Sequence, residues 1–289
     1  MQIESRVLIE VRMSGSSLKA VAMPSNGGAR TVAPKTSKSL LSQAVSQADL
    51  RLAGPQAWNT RSHDLDQTLI QAEGVVHKLL SGPIADLDQV ELDRANGSMI
   101  DAIQSHGVGV WIETVRRHHD ATYQHCMLVN GVTAAFVSSL GFNRGDALRV
   151  TLAATLHDIG KASIPLDILD CPTRLTPEQF AVIKTHPGEA VRMLADQPEI
   201  PAAVLDAVEH HHEYLDGSGY PHAIQGAKVK DLTRILTICD IFAALVEHRS
   251  YKPTMPPADA YEILVGMTGK LDPALVRAFR PVAAAASVG

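Results

Sequence analysis

The sequence predicts an all-α fold, and three observations carry that expectation. Of 289 residues, 45% are apolar while only 4% are aromatic, a balance that favours aliphatic helix packing over an aromatic-rich β-sandwich. From His63 onward apolar residues recur at the spacing of a helix face. Beyond about Trp111 no stretch sustains strand alternation, and the breaks between helical segments fall at "LGFNRGD", "DCPTRLTP", "ADQPEIP" and "DGSGYP".

Residues 1–60 differ from the rest. "SGSSLKAVAMPSNGGARTVAPKTSKS" is rich in Ser, Gly, Pro and Lys and has little to bury, so a small irregular module is expected, with "RVLIEVRM" (Arg6 to Met13) as one short strand candidate. Residues 61–110 read as a helical hairpin. Leu69, Ala72, Val76 and Leu79, reinforced by Ile70, Val75 and Leu80, form one stripe, and "SGP" at Ser81 to Pro83 ends it. A second helix runs through Leu87, Val90, Ile100 and Ile103, with Asn96-Gly97 as a candidate break. The hairpin is expected to serve packing or contact with a second copy of the chain rather than catalysis. Residues 111–289 form the main helical domain.

The net charge of -5 argues against a duplex nucleic-acid partner. Cys126, Cys171 and Cys239 make no CxxC pair and read as reduced thiols. No apolar run reaches the ~18 residues of a membrane span, and "MQIESRVLIEVRMSG" lacks the apolar core of a signal peptide. A cytoplasmic protein without membrane insertion is therefore expected.

The histidines carry the chemistry. "AATLHDIGKASIP" sets His157 beside Asp158, with Lys161 three residues on; His125 lies upstream in "ATYQHCMLV" and His186 downstream in "IKTHPGEAV". His211 and His212 open "HHEYLDGSGYP", and Asp240 sits in "ILTICDIFAAL". All fall within or at the ends of apolar segments. A buried lone carboxylate is expensive, and two of them with several imidazoles satisfy one another best around divalent cations. Imidazole and carboxylate donors suit Fe, Mn, Zn or Ni. His63, His77, His106, His118, His119, His222 and His248 read as ordinary helix or surface residues, and His210 as outside the ligand set. Gly217 and Gly219 let the backbone fold aside after the histidines, and Pro221 fixes the exit.

These motifs resemble the HD-GYP family of cyclic di-GMP phosphodiesterases, within the HD superfamily of metal-dependent phosphohydrolases. The matches run in family order: "HDIGK" (His157 to Lys161), "THP" (Thr185 to Pro187), "HHEYLDGSGYP" (His211 to Pro221), "RILTICDIFAAL" (Arg234 to Leu245) and "RSYK" (Arg249 to Lys252), over about residues 115–282. The resemblance implies an HD-type helical bundle with a bimetal site, preceded by the hairpin and the irregular N-terminal segment. It implies that His125, His157, Asp158 and Asp240 hold one metal, and that Asp158 bridges to a second held by His186, His211 and His212. Glu213 would orient a ligand imidazole, and Lys161, Arg249 and Lys252 would meet substrate phosphate with Tyr220 beside the site. The loop containing Asp216, Gly217, Gly219 and Pro221 would shape the pocket wall or meet a diguanylate-cyclase-type or other signalling protein.

The implied activity is hydrolysis of cyclic di-GMP to pGpG, GMP or both, by a hydroxide activated between two metals, with Asp158 and Lys161 as the catalytic residues. Fe or Mn is the implied metal, Zn and Ni remaining alternatives. The other readings are a weak or inactive cyclic di-GMP sensor and an HD phosphohydrolase of another cyclic dinucleotide. Two positions depart from the family pattern. Ala121 replaces a glutamate that holds a third metal in some members, so a binuclear site is expected. Ala243 replaces an aspartate one turn after Asp240, a loss expected to lower activity or alter substrate preference.

Overall fold

The computed structural model describes residues 65–81, 88–117, 121–169, 171, 173–247 and 254–287. The expectations for residues 1–60, for Arg249 and Lys252, and for the side chain of Ala121 lie outside them. Helices follow one another throughout: α1 (Leu65–Ser81), α2 (Gln89–His106), α3 (Val108–Arg117), α4 (Ala121–Ser139) and α5 (Arg144–Leu156) come first. A 3-10 turn (Ile159–Ser163) then leads to α6 (Leu166–Leu169), α7 (Pro177–Ile183), α8 (His186–Met193) and α9 (Ala202–His210). The chain ends in α10 (Asp231–Val246), α11 (Pro257–Gly266) and α12 (Pro273–Ala285). No strand occurs among the described residues, so the fold is all-α as the composition and periodicity predict.

α1 buries the Leu69, Ala72, Val75, Val76 and Leu79 stripe and turns Ile70 outward. Asp88 starts α2 by accepting the Val90 and Glu91 amides, satisfying two of the donors a helix start leaves open. Contrary to the candidate break, α2 runs straight through Asn96-Gly97. The reason is tertiary. Asn96 is buried, and its Oδ1 accepts from Thr155 Oγ1 of α5 at 2.8 Å, with Asn130 Oδ1 of α4 at 3.1 Å from the same hydroxyl. Three helices meet at that hydroxyl, which outweighs a turn-forming dipeptide.

One continuous apolar core runs from Leu69 to Ala286, so the α1–α2 hairpin shares it with α4, α5 and α10. Trp111 of α3 is fully buried in this core and donates its indole N–H to the Met127 carbonyl at 2.9 Å. A smaller cluster of Ile164, Leu175 and Ile183 supports the α6–α7 arm. The bundle thus presents the ends of α5 and α9, the start of α8, the second turn of α4 and the middle of α10 to one buried point.

Candidate metal centre

His125 comes from α4 and Asp240 from the middle of α10, while His157 caps the end of α5 and Asp158 opens the 3-10 turn. His186 is the first residue of α8, and His211 and His212 follow the last residue of α9. None of them is more than 8% exposed. Residues scattered over 116 positions, from His125 to Asp240, therefore share one desolvated pocket.

Asp158 is the hinge of the arrangement. Its Oδ2 lies 3.2 Å from His157 Nε2 and 3.8 Å from His125 Nε2, and its Oδ1 lies 3.3 Å from His186 Nε2 and 3.9 Å from His211 Nε2. Asp240 Oδ1 is 3.1 Å from His125 Nε2, and its Oδ2 is 3.8 Å from His212 Nδ1. Two donor groups result, Asp158 with His186, His211 and His212, and Asp158 with His125 and His157; within each, the ligating atoms lie within 4.8 Å of one another. Asp158 is common to both groups, while Asp240, expected with His125 and His157, falls outside both and stands beside His125.

The backbone sets which nitrogens face inward. Nδ1 of His157, His186 and His211 each lies 2.7 Å from a carbonyl, that of Ala154, Ile183 and Val208 respectively. A carbonyl only accepts, so each Nδ1 must donate, and the neutral ring keeps its lone pair on Nε2. His186 Nε2 and His211 Nε2 then meet at 3.3 Å, a contact between two lone pairs. His157 Nε2 and Asp158 Oδ1 are buried with no hydrogen-bond partner. Inward lone pairs, an orphaned carboxylate oxygen and all-nitrogen-and-oxygen donors fit divalent cations well.

The electrostatics agree at His211 and His212. Burial and the neighbouring imidazoles push the His211 and His212 rings well below their ordinary pKa, keeping them as neutral donors. Burial opposes ionisation of Asp158, yet the adjacent His157 and Lys161 hold its carboxyl well below the usual range. Burial lowers His157 too, but Asp158 outweighs it and raises the ring's pKa. Lys161 Nζ sits 2.5 Å from Asp158 Oδ2, placing one cation at the rim.

The loop after α9 closes one side. Gly217 adopts φ +77°, and a Cβ on Gly219 would collide with the backbone of His212 to Tyr214, so both glycines are required there. Asp216 Oδ1 accepts the Ser218 amide at 2.9 Å, and the Tyr220–Pro221 peptide is cis. The Tyr220 ring lies 4.6 Å from the His212 ring and meets Phe180 edge-on at 6.3 Å. Lys184 Nζ stands 4.6 Å from the Phe180 centroid. Phe180 and Lys184 were not singled out in the sequence, because nothing in α7 marks a residue brought near by a distant loop.

Two carboxylates divide differently from expectation. Glu213 Oε1 accepts the His222 amide at 2.5 Å and so binds the loop's main chain. The carboxylate beside an imidazole is Glu247, whose Oε2 lies 3.5 Å from His125 Nδ1, one turn beyond the buried Ala243.

Comparison with known proteins follows the same lines. The HD domain family model matches residues 109–275. A cyclic di-GMP phosphodiesterase of Pseudomonas aeruginosa is 35% identical over 55% of this chain and 38% of its own length. A 3′3′-cGAMP-specific phosphodiesterase of Vibrio cholerae is 32% identical over 50% of this chain and 33% of its own. The chain thus spans well under half the length of these curated relatives. An HDG"Y"P protein from Bdellovibrio bacteriovorus superposes with a TM-score of 0.62 at 18% identity, covering 83% of this chain and 76% of that one, and shares its fold. HD domains imply divalent-metal binding, and the histidine–aspartate cluster lies within the matched segment. No helix among the described residues is long and apolar enough to cross a membrane. With the family model spanning more than half of its length, the chain belongs to the HD domain family.

Proposed function

We propose that the protein hydrolyses cyclic di-GMP, adding water across a phosphodiester P–O bond to free the 3′ oxygen and give pGpG, with GMP after a second round. The observation that carries this reading is Asp158, whose two oxygens face two separate groups of imidazoles in a buried pocket. Similarity to cyclic di-GMP phosphodiesterases names the substrate class. Divalent ions held by the two groups would supply Lewis acidity and lower the pKa of water toward ~7. His125, His157, Asp158 and Asp240 would hold one, and Asp158, His186, His211 and His212 the other. Fe or Mn suits this donor set best, with Zn and Ni as alternatives.

The chain's own residues supply the rest. Lys161 keeps Asp158 ionised and offers positive charge to phosphate at the rim. Tyr220 and Phe180 form an aromatic wall against which a guanine can stack, with Lys184 above it. Arg249 and Lys252 belong to the same reading as further phosphate contacts. So do a catalytic domain beginning near residue 111, a signalling partner at the glycine-rich loop, and a second copy docked on the hairpin, whose outer face exposes Ile70 and Val90.

A second reading, hydrolysis of 3′3′-cGAMP, is favoured by the similarity to an enzyme specific for it. The test is turnover of both nucleotides by protein prepared anaerobically with Fe(II) or Mn(II). Linear product from cyclic di-GMP that disappears in Asp158→Asn supports the first reading, and product from cGAMP alone supports the second. Binding of nucleotide without product from either sinks both and leaves a sensor.

A further inference from the structure

Outside the buried pocket, a third group of donors stands at the surface where α9 meets the glycine-rich loop. One ligating atom from each of Glu209, His210 and His222 lies within 4.8 Å of the other two. We propose that these residues form a separate peripheral site for a borderline divalent cation such as Zn²⁺, tying the loop to the end of α9.

The strongest observation is how His210 is held. Its Nδ1 donates to the Asp206 carbonyl at 2.9 Å, as Nδ1 of His157, His186 and His211 donates to a backbone carbonyl inside the pocket. That hydrogen bond fixes the ring and leaves its lone pair on Nε2, the usual preparation of a ligand imidazole. Asp206 Oδ1, 3.5 Å from the same Nδ1, adds a carboxylate behind the ring.

His222 approaches from the other side. Its Nε2 is 3.0 Å from Glu209 Oε1, and its ring centroid is 5.3 Å from that of His210. Its main chain is already fixed, because its amide donates to Glu213 Oε1. Three donors from two segments are thus in place before any ion binds. Two imidazoles and one carboxylate are the donor set of many zinc sites, and the remaining coordination positions would go to water.

Exposure separates this group from the pocket. The side chains of His210, Glu209 and His222 are 14%, 32% and 51% exposed, so an ion reaches them directly from solvent. An ion there would hold His222 against α9, and His222 stands two residues from Tyr220, whose ring leans on His212. Occupancy would therefore restrain the loop beside the pocket without taking any donor from it.

The experiment measures zinc bound per chain by equilibrium dialysis of the full-length protein, first stripped with chelator. It is run on wild type, His222→Ala, Asp158→Asn and the double variant. The expected result is one equivalent bound at least ~100-fold more weakly after His222→Ala in both backgrounds, beyond the ~10–100-fold typical of losing an outer-shell partner. Unchanged binding in His222→Ala, or a loss seen only when Asp158 is intact, overturns the site. Circular dichroism checks the fold; should His222→Ala lose helix, Glu209→Gln decides, the same loss supporting the site and wild-type binding overturning it. The readout is metal content, so it stands whether or not cyclic di-GMP is turned over.

Discussion

Gly160 packs directly against the backbone of His186: a Cβ at Gly160 would overlap the His186 carbonyl and stand 2.6 Å from the Ala190 amide nitrogen. The 3-10 turn that carries Asp158 can therefore lie flush on the first turn of α8. This contact sets the separation between Asp158 and His186, and with it the shape of the pocket. Gly160→Ala meets main chain, which cannot rotate away as a side chain would. Overpacking of this kind costs about 1–3 kcal/mol, which at ~2–4 °C per kcal/mol for a protein of this size lowers Tm by roughly 2–12 °C. Thermal unfolding and metal analysis check it; a wild-type Tm with full metal content would contradict the argument.

Asp158→Asn preserves shape and removes the charge that faces both donor groups. Metal content is expected to fall, and turnover of cyclic di-GMP to drop at least ~10³-fold, the upper end for loss of a single electrostatic contact. Lys161→Gln leaves every donor in place, so it is expected to slow turnover while retaining metal. Metal counts and rates measured on the same preparations separate the two effects.

Glu247 makes a subtler prediction. Its carboxylate lies 3.5 Å from His125 Nδ1 and is buried with it. Glu247→Gln is expected to weaken metal binding about 10–100-fold with little change in Tm, as removal of a carboxylate behind a ligand imidazole does. Competition against a graded chelator series reads the shift directly. Unaltered affinity would mean that Glu247 serves packing alone.

The histidine–aspartate cluster was legible in the sequence because its signal is local. Asp240 stands out as a carboxylate in a run of Ile, Leu and Phe, and His211, His212 and the glycine-rich turn are contiguous. What escaped was long-range pairing. Asn96 has the local chemistry of a turn but is held in a helix by Thr155, 59 positions away. Glu247 and His125 are 122 positions apart, and neither neighbourhood announces the other. His222 looked like an ordinary loop residue until folding set it beside Glu209. Residues whose role depends on a distant partner leave no periodicity or spacing to read.

That same Asn96–Thr155 pairing bears on the hairpin. α1 packs on the 3-10 turn that carries Asp158, and α2 supplies Leu92, Met99, Ile100 and Ile103 to the core shared with the pocket helices. Removing residues 1–104 would expose these faces of α4 and α5 and strip Thr155 of one partner. Burying a Leu, Ile or Met side chain contributes about 1.5–3 kcal/mol, so losing four exceeds the ~5–15 kcal/mol margin of a typical domain or comes close to it. The fragment 105–289 is expected to aggregate or to unfold without cooperativity. Asn96→Ala in the full chain, a milder version of the same loss, is expected to lower stability by ~0.5–1.5 kcal/mol, the worth of one hydrogen bond, because the Thr155 hydroxyl keeps Asn130 Oδ1 and the Thr151 carbonyl as acceptors. Chemical denaturation of both checks the argument. A fragment that unfolds cooperatively near the wild-type midpoint would show that the hairpin is an appendage, and its contact with the turn incidental.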